Sequence, residues 1–165
     1  MLPSLLAARI CELEKISAPI FAWNGGCDLK FTVLGTPQAL KRHRVARSGH
    51  MYDPSVQDKK AFSLQADIMK PGKPLEGSLK INLKFYFKRP KNHYRTGKFS
   101  KILKENIRGN YKANSPDLDN LVKLCLDSIE GAYFKNDSQI ASIVAEKYYC
   151  ELSEEPRTEV EINFL

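Results

Sequence analysis

No stretch of the sequence approaches the roughly 18 consecutive uncharged apolar residues a helix needs to cross a bilayer, so neither a membrane span nor a membrane partner is expected. The first residues, MLPSLLAARICELEKI, have neither the basic head nor the long apolar run of a secretory leader, and Glu12 and Glu14 set them apart from the acid-poor transit peptides. Cysteine is sparse and unpaired. Cys11, Cys27, Cys125 and Cys150 include no CxxC, and the three histidines do not cluster with them, so no zinc site is expected. Cys125 falls inside an apolar helical pattern and reads as a plain buried thiol. Such usage fits a reducing, intracellular compartment. Acidic residues are also in deficit. Lys and Arg number 26 against 19 Asp and Glu, a formal charge of +7, and this excess points to a polyanionic partner such as nucleic acid.

A chain of 165 residues with 42% hydrophobic content can build one sizeable core. Residues 1–28 read as an N-terminal helical appendage. Leu2, Leu5, Leu6, Ile10 and Leu13 recur at roughly helical spacing before Pro19 and Gly25-Gly26 break the pattern. Residues 29–165 read as the main domain. LKFTVLGTP (29–37) is a strand closed by Gly35 and Pro37, followed by a basic loop. The spacing of 55–72 predicts a helix capped by Ser55, with Ala61, Leu64 and Ile68 as its apolar face and Pro71-Gly72 as its stop. In 77–90, Leu79, Ile81, Leu83, Phe85 and Phe87 alternate as in a half-buried strand. Residues 88–112 carry nine Lys or Arg and one acid with poor periodicity, and read as a long mobile loop. A helix over about 117–130 follows. Then come a strand in SQIASIVAEKYYCEL that reads as covered on both faces, a turn at SEEPR, and a last strand that points Val160, Ile162 and Phe164 inward. The order β-α-β-loop-α-β-β is that of an α+β domain with a small mixed sheet.

The stretch NSPDLDNLVKLCLDSIEGAYFKNDSQI gathers Asp117, Asp119 and Asp137 in an otherwise basic chain. Pro116 suits the first turn of a helix, Leu118, Leu121, Val122, Cys125, Leu126 and Ile129 its core face, and Gly131 its end. Two readings of the acids stand. Asp117 and Asp119 can cap the helix and favour its dipole, with Asp137 an ordinary turn residue and Asp119–Lys123–Asp127 an i, i+4 ladder. Alternatively, the three carboxylates hold Mg²⁺, a hard cation that takes oxygen ligands and retained waters. Asp117 at the cap and Asp119 in the first turn can converge, although on one continuous helix they would sit about 200° apart. Asp137, at the start of a neighbouring strand, would close the site. Such an ion activates water for phosphodiester hydrolysis, and Lys123 would steady the phosphate charge. A lone DxD is weak. Pro116-Asp117 also opens a PD-(D/E)xK pattern, but Glu146 and Lys147 are adjacent and the spacing fails.

The spaced combination is more specific. D-x-D-N, a lysine four residues after the second aspartate, and an aspartate in a D-S-Q turn before a strand resemble the signature of the RusA family of Holliday-junction resolvases. The resemblance covers roughly 29–165, including LGTPQALKRHR and YDPS. It implies that Asp117, Asp119 and Asp137 bind Mg²⁺ (Mn²⁺ as a substitute) and are catalytic together with Lys123. It also implies a homodimer that makes paired nicks in four-way DNA junctions, in recombination and repair. Two departures are visible: Asn136-Asp137 stands where many members have two acids, and the basic loop after Gly35 differs from the usual run.

Lys41, Arg42, Arg44 and Arg47 form one candidate phosphate-binding segment. Lys88, Arg89, Lys91 and Arg95, continuing through Lys98, Lys101 and Lys104, form another, since phosphate contacts dominate DNA affinity. Tyr94 or Phe99 would either stack on an opened base or anchor the loop. The competing reading is a non-catalytic nucleic-acid-binding protein that retains the fold. It would keep the basic segments without needing three acids and a lysine in register.

Overall fold

The computed structural model describes residues 29–107 and 109–165. The helix expected at 2–13, the break after it, and Cys11 and Cys27 lie outside them. The described residues form an α+β fold: β1 (Leu29–Leu34), a small hairpin of β2 (Arg44–Val45) and β3 (Met51–Tyr52), α1 (Val56–Ala66), β4 (Leu79–Phe87), α2 (Leu118–Ile129), β5 (Ile140–Tyr149) and β6 (Arg157–Phe164). The main sheet has the order β1-β6-β4-β5. The pairs β1–β6 and β6–β4 are antiparallel, whereas β4 and β5 are parallel. Parallel neighbours require a long crossover, and α2 lies within it. The last two strands, although consecutive, are not neighbours, because β4 stands between them.

Arg157 on β6 faces Leu34 on one side and Tyr86 on the other, and Tyr86 faces Tyr148. The last residues of β1, β4 and β5 therefore share one end of the sheet, called here the upper end. Alternation along β4 buries Leu79, Ile81, Leu83, Phe85 and Phe87 against the helices, together with Thr158, Val160 and Ile162 of β6. Each fully buried apolar side chain of this size contributes about 1.5–3 kcal/mol. From α2, Leu121, Leu124, Cys125 and Ile129 complete the core, and burial raises the Cys125 thiol pKa.

Three local expectations are corrected. The inner face of α1 is Phe62 and Ala66, one residue out of phase with Ala61, Leu64 and Ile68, and Leu64 and Ile68 are 74% and 80% exposed. The phase is set by the larger Phe62 and by the Tyr133 hydroxyl donating to Ala66 O at 2.6 Å. Ser55 does not cap α1. It is buried, its Oγ accepts from Lys41 N at 2.8 Å, and its own N–H donates to Asp53 Oδ1 at 2.8 Å. Finally, β5 is an edge strand rather than a doubly covered one, with Ile143 and Val144 each 44% exposed.

Candidate active site

Helix α2 starts one residue later than its sequence suggests, with Asp117 as the residue before the first turn and Pro116, after a cis peptide, outside it. The Asp117 backbone is extended (φ −69°, ψ 140°) and its side chain makes no capping bond. That leaves its carboxylate without a hydrogen bond or ion pair to any described residue, which removes the capping explanation for this acid. Asp119, in the first turn and 63% exposed, accepts from Lys123 Nζ at 3.2 Å. The expected ladder stops there, because Asp127 pairs instead with Lys59 of α1 at 2.9 Å.

Asp137 is elsewhere. It opens a short turn ahead of β5, and its backbone N–H donates to Glu130 Oε1, just past the C-terminal end of α2. Two independent rulers give the separation. Helix α2 has 12 residues, about 18 Å at the usual rise. Lys147 Nζ donates to Pro116 O at 2.7 Å, and the seven steps along β5 from Ile140 to Lys147 span about 23 Å. Within one chain the strand start does not close the site as expected. Among the described residues no three acidic, histidine or cysteine side chains are close enough to share a metal ion.

Two lysines frame the aspartate pair: Lys112, which the sequence did not single out, and Lys147, weighed there only for a PD-(D/E)xK pattern whose spacing fails. Lys147 also donates to Asn114 O at 2.9 Å. Lys112 Nζ donates to Asn114 O at 3.0 Å and to Ser115 O, and lies 5.0 Å from the centre of the Phe87 ring. Burial, with Lys147 second, pushes the Lys112 pKa below its ordinary value. The available signal was Lys147 itself, a lysine on the parity of β5 that carries Ile143, Ala145 and Tyr149 toward the helices.

The two basic segments both leave from the upper end. The first is the β2–β3 hairpin, and Leu40 at its base donates its N–H to Asn120 O at 2.9 Å, directly beside Asp119. Arg42, Arg44 and Arg47 are exposed and make no ion pair with a described residue, whereas Lys41 pairs with Asp58 at 2.8 Å. The second, 88–112, is an internally hydrogen-bonded excursion. Arg95 N donates to Ile102 O at 2.9 Å, Lys104 N to His93 O at 3.0 Å, and Arg95 pairs with Glu105 at 2.7 Å. Lys88 and Lys91 are exposed. Arg89 departs from the expected role: it is 8% exposed, donates to Gly109 O and Asn110 Oδ1, and lies over Tyr149. An arginine buried and committed in this way anchors the excursion rather than projecting its side chain from the surface. Phe99 is exposed and Tyr94 half-buried, bridged to Leu103.

A family model described as "Endodeoxyribonuclease RusA" matches residues 35–163. The chain belongs to the RusA endodeoxyribonuclease family. It is also 36% identical over 139 residues to "Uncharacterized protein YqaN" of Bacillus subtilis (strain 168), covering 81% of this chain and 94% of that one. RusA-family proteins are Holliday-junction resolvases, nucleases that act on branched DNA and generally depend on a divalent metal. The donor chemistry fits a hard divalent cation in part: Asp117 and Asp119 offer carboxylate oxygens that the fold does not consume in capping, and Asp137 stands at the opposite end of α2.

Proposed function

We propose that this protein is a Mg²⁺-dependent endonuclease of 29–165 that resolves four-way DNA junctions by paired nicks, in recombination and repair. We further propose that it works as a homodimer in which each metal site takes Asp117 and Asp119 from one copy and Asp137 from the other. The observation that carries the second part is the position of Asp137 at the end of α2 opposite Asp117 and Asp119. Edge strand β5 supplies a means of association. Residues 110–112 flank it only near its end, where Lys112 N donates to Lys147 O and Tyr149 N to Asn110 O. Among the described residues nothing pairs with the rest of this edge, where Ile143 and Val144 are exposed, the kind of edge that recruits another strand. Antiparallel pairing of this segment with its copy would put a two-fold axis near Ile143. The turn before Ile140 in one chain would then lie beside the partner's Lys112–Pro116 approach to its own Asp117. A junction of near two-fold symmetry is matched by an isologous dimer with two sites.

When bound, Mg²⁺ (or Mn²⁺) supplies Lewis acidity at the phosphate and a more acidic water. The three carboxylates would hold the ion. Lys123, released from Asp119, would pair with a phosphate oxygen and stabilise the charge developing there. Lys41, Arg42, Arg44, Arg47, Lys88, Lys91 and Arg95 would track the backbone, in a DNA-containing compartment inside the cell.

Asp119→Asn and Asp137→Asn chains carrying different tags, combined and purified as mixed dimers, test the shared site. Shared sites leave one site intact in such a dimer, so it nicks one strand of a labelled junction while either homodimer is inactive. No cleavage by the mixed dimer, alongside an active wild type, overturns sharing. A wild type that binds the junction and cuts it in neither Mg²⁺ nor Mn²⁺ overturns the endonuclease reading in favour of a non-catalytic binding protein.

A further inference from the structure

The hairpin of β2 and β3 is separate from the main sheet. Arg44 faces Tyr52 and Val45 faces Met51 across it. Directly opposed residues on an antiparallel pair project to the same side, so one face carries an arginine with a tyrosine and the other a purely apolar pair. No described residue covers either face: Val45 and Met51 are each 63% exposed and Tyr52 is 44% exposed. Two-residue strands of this kind are marginal alone, yet this hairpin is closed and anchored. Ala46 N donates to His50 O at 2.8 Å and Gly49 N to Ala46 O at 2.9 Å, with Gly49 at φ +81° making the turn. Its base is tied by Lys41 N to Ser55 Oγ, and by Leu40 N to Asn120 O beside Asp119. An exposed apolar pair therefore stands on a closed hairpin whose base is tied beside the aspartate pair, flanked by Arg42, Arg44 and Arg47.

We propose that this hairpin is a wedge that enters the centre of a branched DNA and packs Val45 and Met51 against the base pairs unstacked there. Apolar side chains held by a basic frame are the chemistry that proteins use to open a base step, with the flanking cations on the adjacent phosphates. The branch point is the place in a junction where stacking is already interrupted. The tie to Asn120 fixes the register between the wedged base step and the aspartates, so the hairpin selects which phosphate is presented. This inference rests on the endonuclease reading for its substrate but makes a separate physical claim.

The test uses Val45→Ser/Met51→Ser in the full chain, a change that leaves charge and core untouched. A four-way junction with 2-aminopurine at the branch point reports unstacking as a rise in fluorescence, measured in EDTA so that no cutting intervenes. The wild type should raise the signal and the double variant should lose most of that rise. The salt dependence of binding should be unchanged, and junction cutting in Mg²⁺ should slow by about tenfold or more. A wild type that gives no rise, or a variant that keeps it, overturns the wedge even if both proteins cut. A rise abolished by the variant in a protein that cuts nothing supports the wedge and removes the endonuclease reading instead. A variant whose mass in solution falls from dimer to monomer overturns the wedge by making the hairpin a contact between copies.

Discussion

Helix α2 carries aspartates around both of its ends, and the surroundings of the two ends differ. At the C-terminal end, chain and core are knitted together. Gly131 takes a left-handed turn at φ +77°, and Tyr133 and Phe134 are fully buried. Gln139 bonds back to Lys135 N and Asn136 N. At the N-terminal end the backbone is held from outside by Lys112 and Lys147, while the carboxylates of Asp117 and Asp119 stay exposed. The first end is built for stability and happens to carry Asp137. The second gives up a side-chain cap, and both basic segments leave the fold at that end.

The largest expected effect tests whether both ends serve one site. Asp117→Asn, Asp119→Asn and Asp137→Asn should each lower junction cleavage by more than about a hundredfold, since losing groups that merely support metal ligands already costs 10–100-fold. Junction binding should be kept or tightened, because each change removes repulsion with phosphate. Cleavage and gel-shift measurements on the same preparations decide it. If Asp137→Asn cuts like wild type, only the N-terminal end is functional and the shared site fails.

A smaller contrast follows in stability. Asp119→Asn removes an exposed i, i+4 pair and a favourable dipole contact, together about 1 kcal/mol or less. Tyr133→Phe deletes the buried hydroxyl that donates to Ala66 O and should cost about 1–3 kcal/mol, while cutting at temperatures well below melting stays near wild type. Urea unfolding of both variants beside their cleavage rates reads the crossing. A Tyr133→Phe that is as stable as wild type would mean that the C-terminal end is not held as described.

What the sequence disclosed follows the same division. Alternation in β4 and the stop at Gly131 were legible because burial on one face writes a period into the chain. The order of β5 and β6 was not, since strands consecutive in sequence read as neighbours and nothing local says that β4 lies between them. The three aspartates could be picked out from the sequence, but their separation could not: spacing in sequence carries no information on which way β5 runs relative to α2. Arg89 was misread for a similar reason. Composition groups it with Lys88 and Lys91, whereas the partners that bury it, Asn110 and Tyr149, are distant in sequence.

That difference among arginines can be measured at the upper end. Reversing Arg42 and Arg44 to glutamate should lower the log–log salt slope of DNA binding by about 0.9 per lost phosphate contact on duplex arms. Arg89→Ala should leave the slope unchanged while loosening residues 90–107, read as faster proteolysis there. An unchanged slope in the first variant would mean that these arginines do not meet phosphate.

The smallest effect concerns an acid at the same end whose role is structural. Asp53 ties the hairpin base: the Ser55 N–H donating to its carboxylate, with Lys59 nearby at 3.1 Å, holds its pKa below the ordinary value of 3.8. A carboxyl with a depressed folded pKa stabilises the fold above the unfolded value and loses that contribution as pH falls through the folded one. Hydrogen-exchange protection of Ala46 and Gly49, corrected for the intrinsic pH dependence of exchange, should therefore hold from pH 7 down to about 4 and fall at lower pH. Asp53→Asn should show reduced protection already at pH 7, since a neutral amide pairs less strongly with Lys59, whereas Asp119→Asn should not, because the one described residue whose side chain Asp119 holds is Lys123. Protection that is equal at pH 3 and pH 7 would mean that the hairpin is anchored without Asp53. The contrast between an acid that builds the upper end and the exposed pair beside it would then lose its structural half.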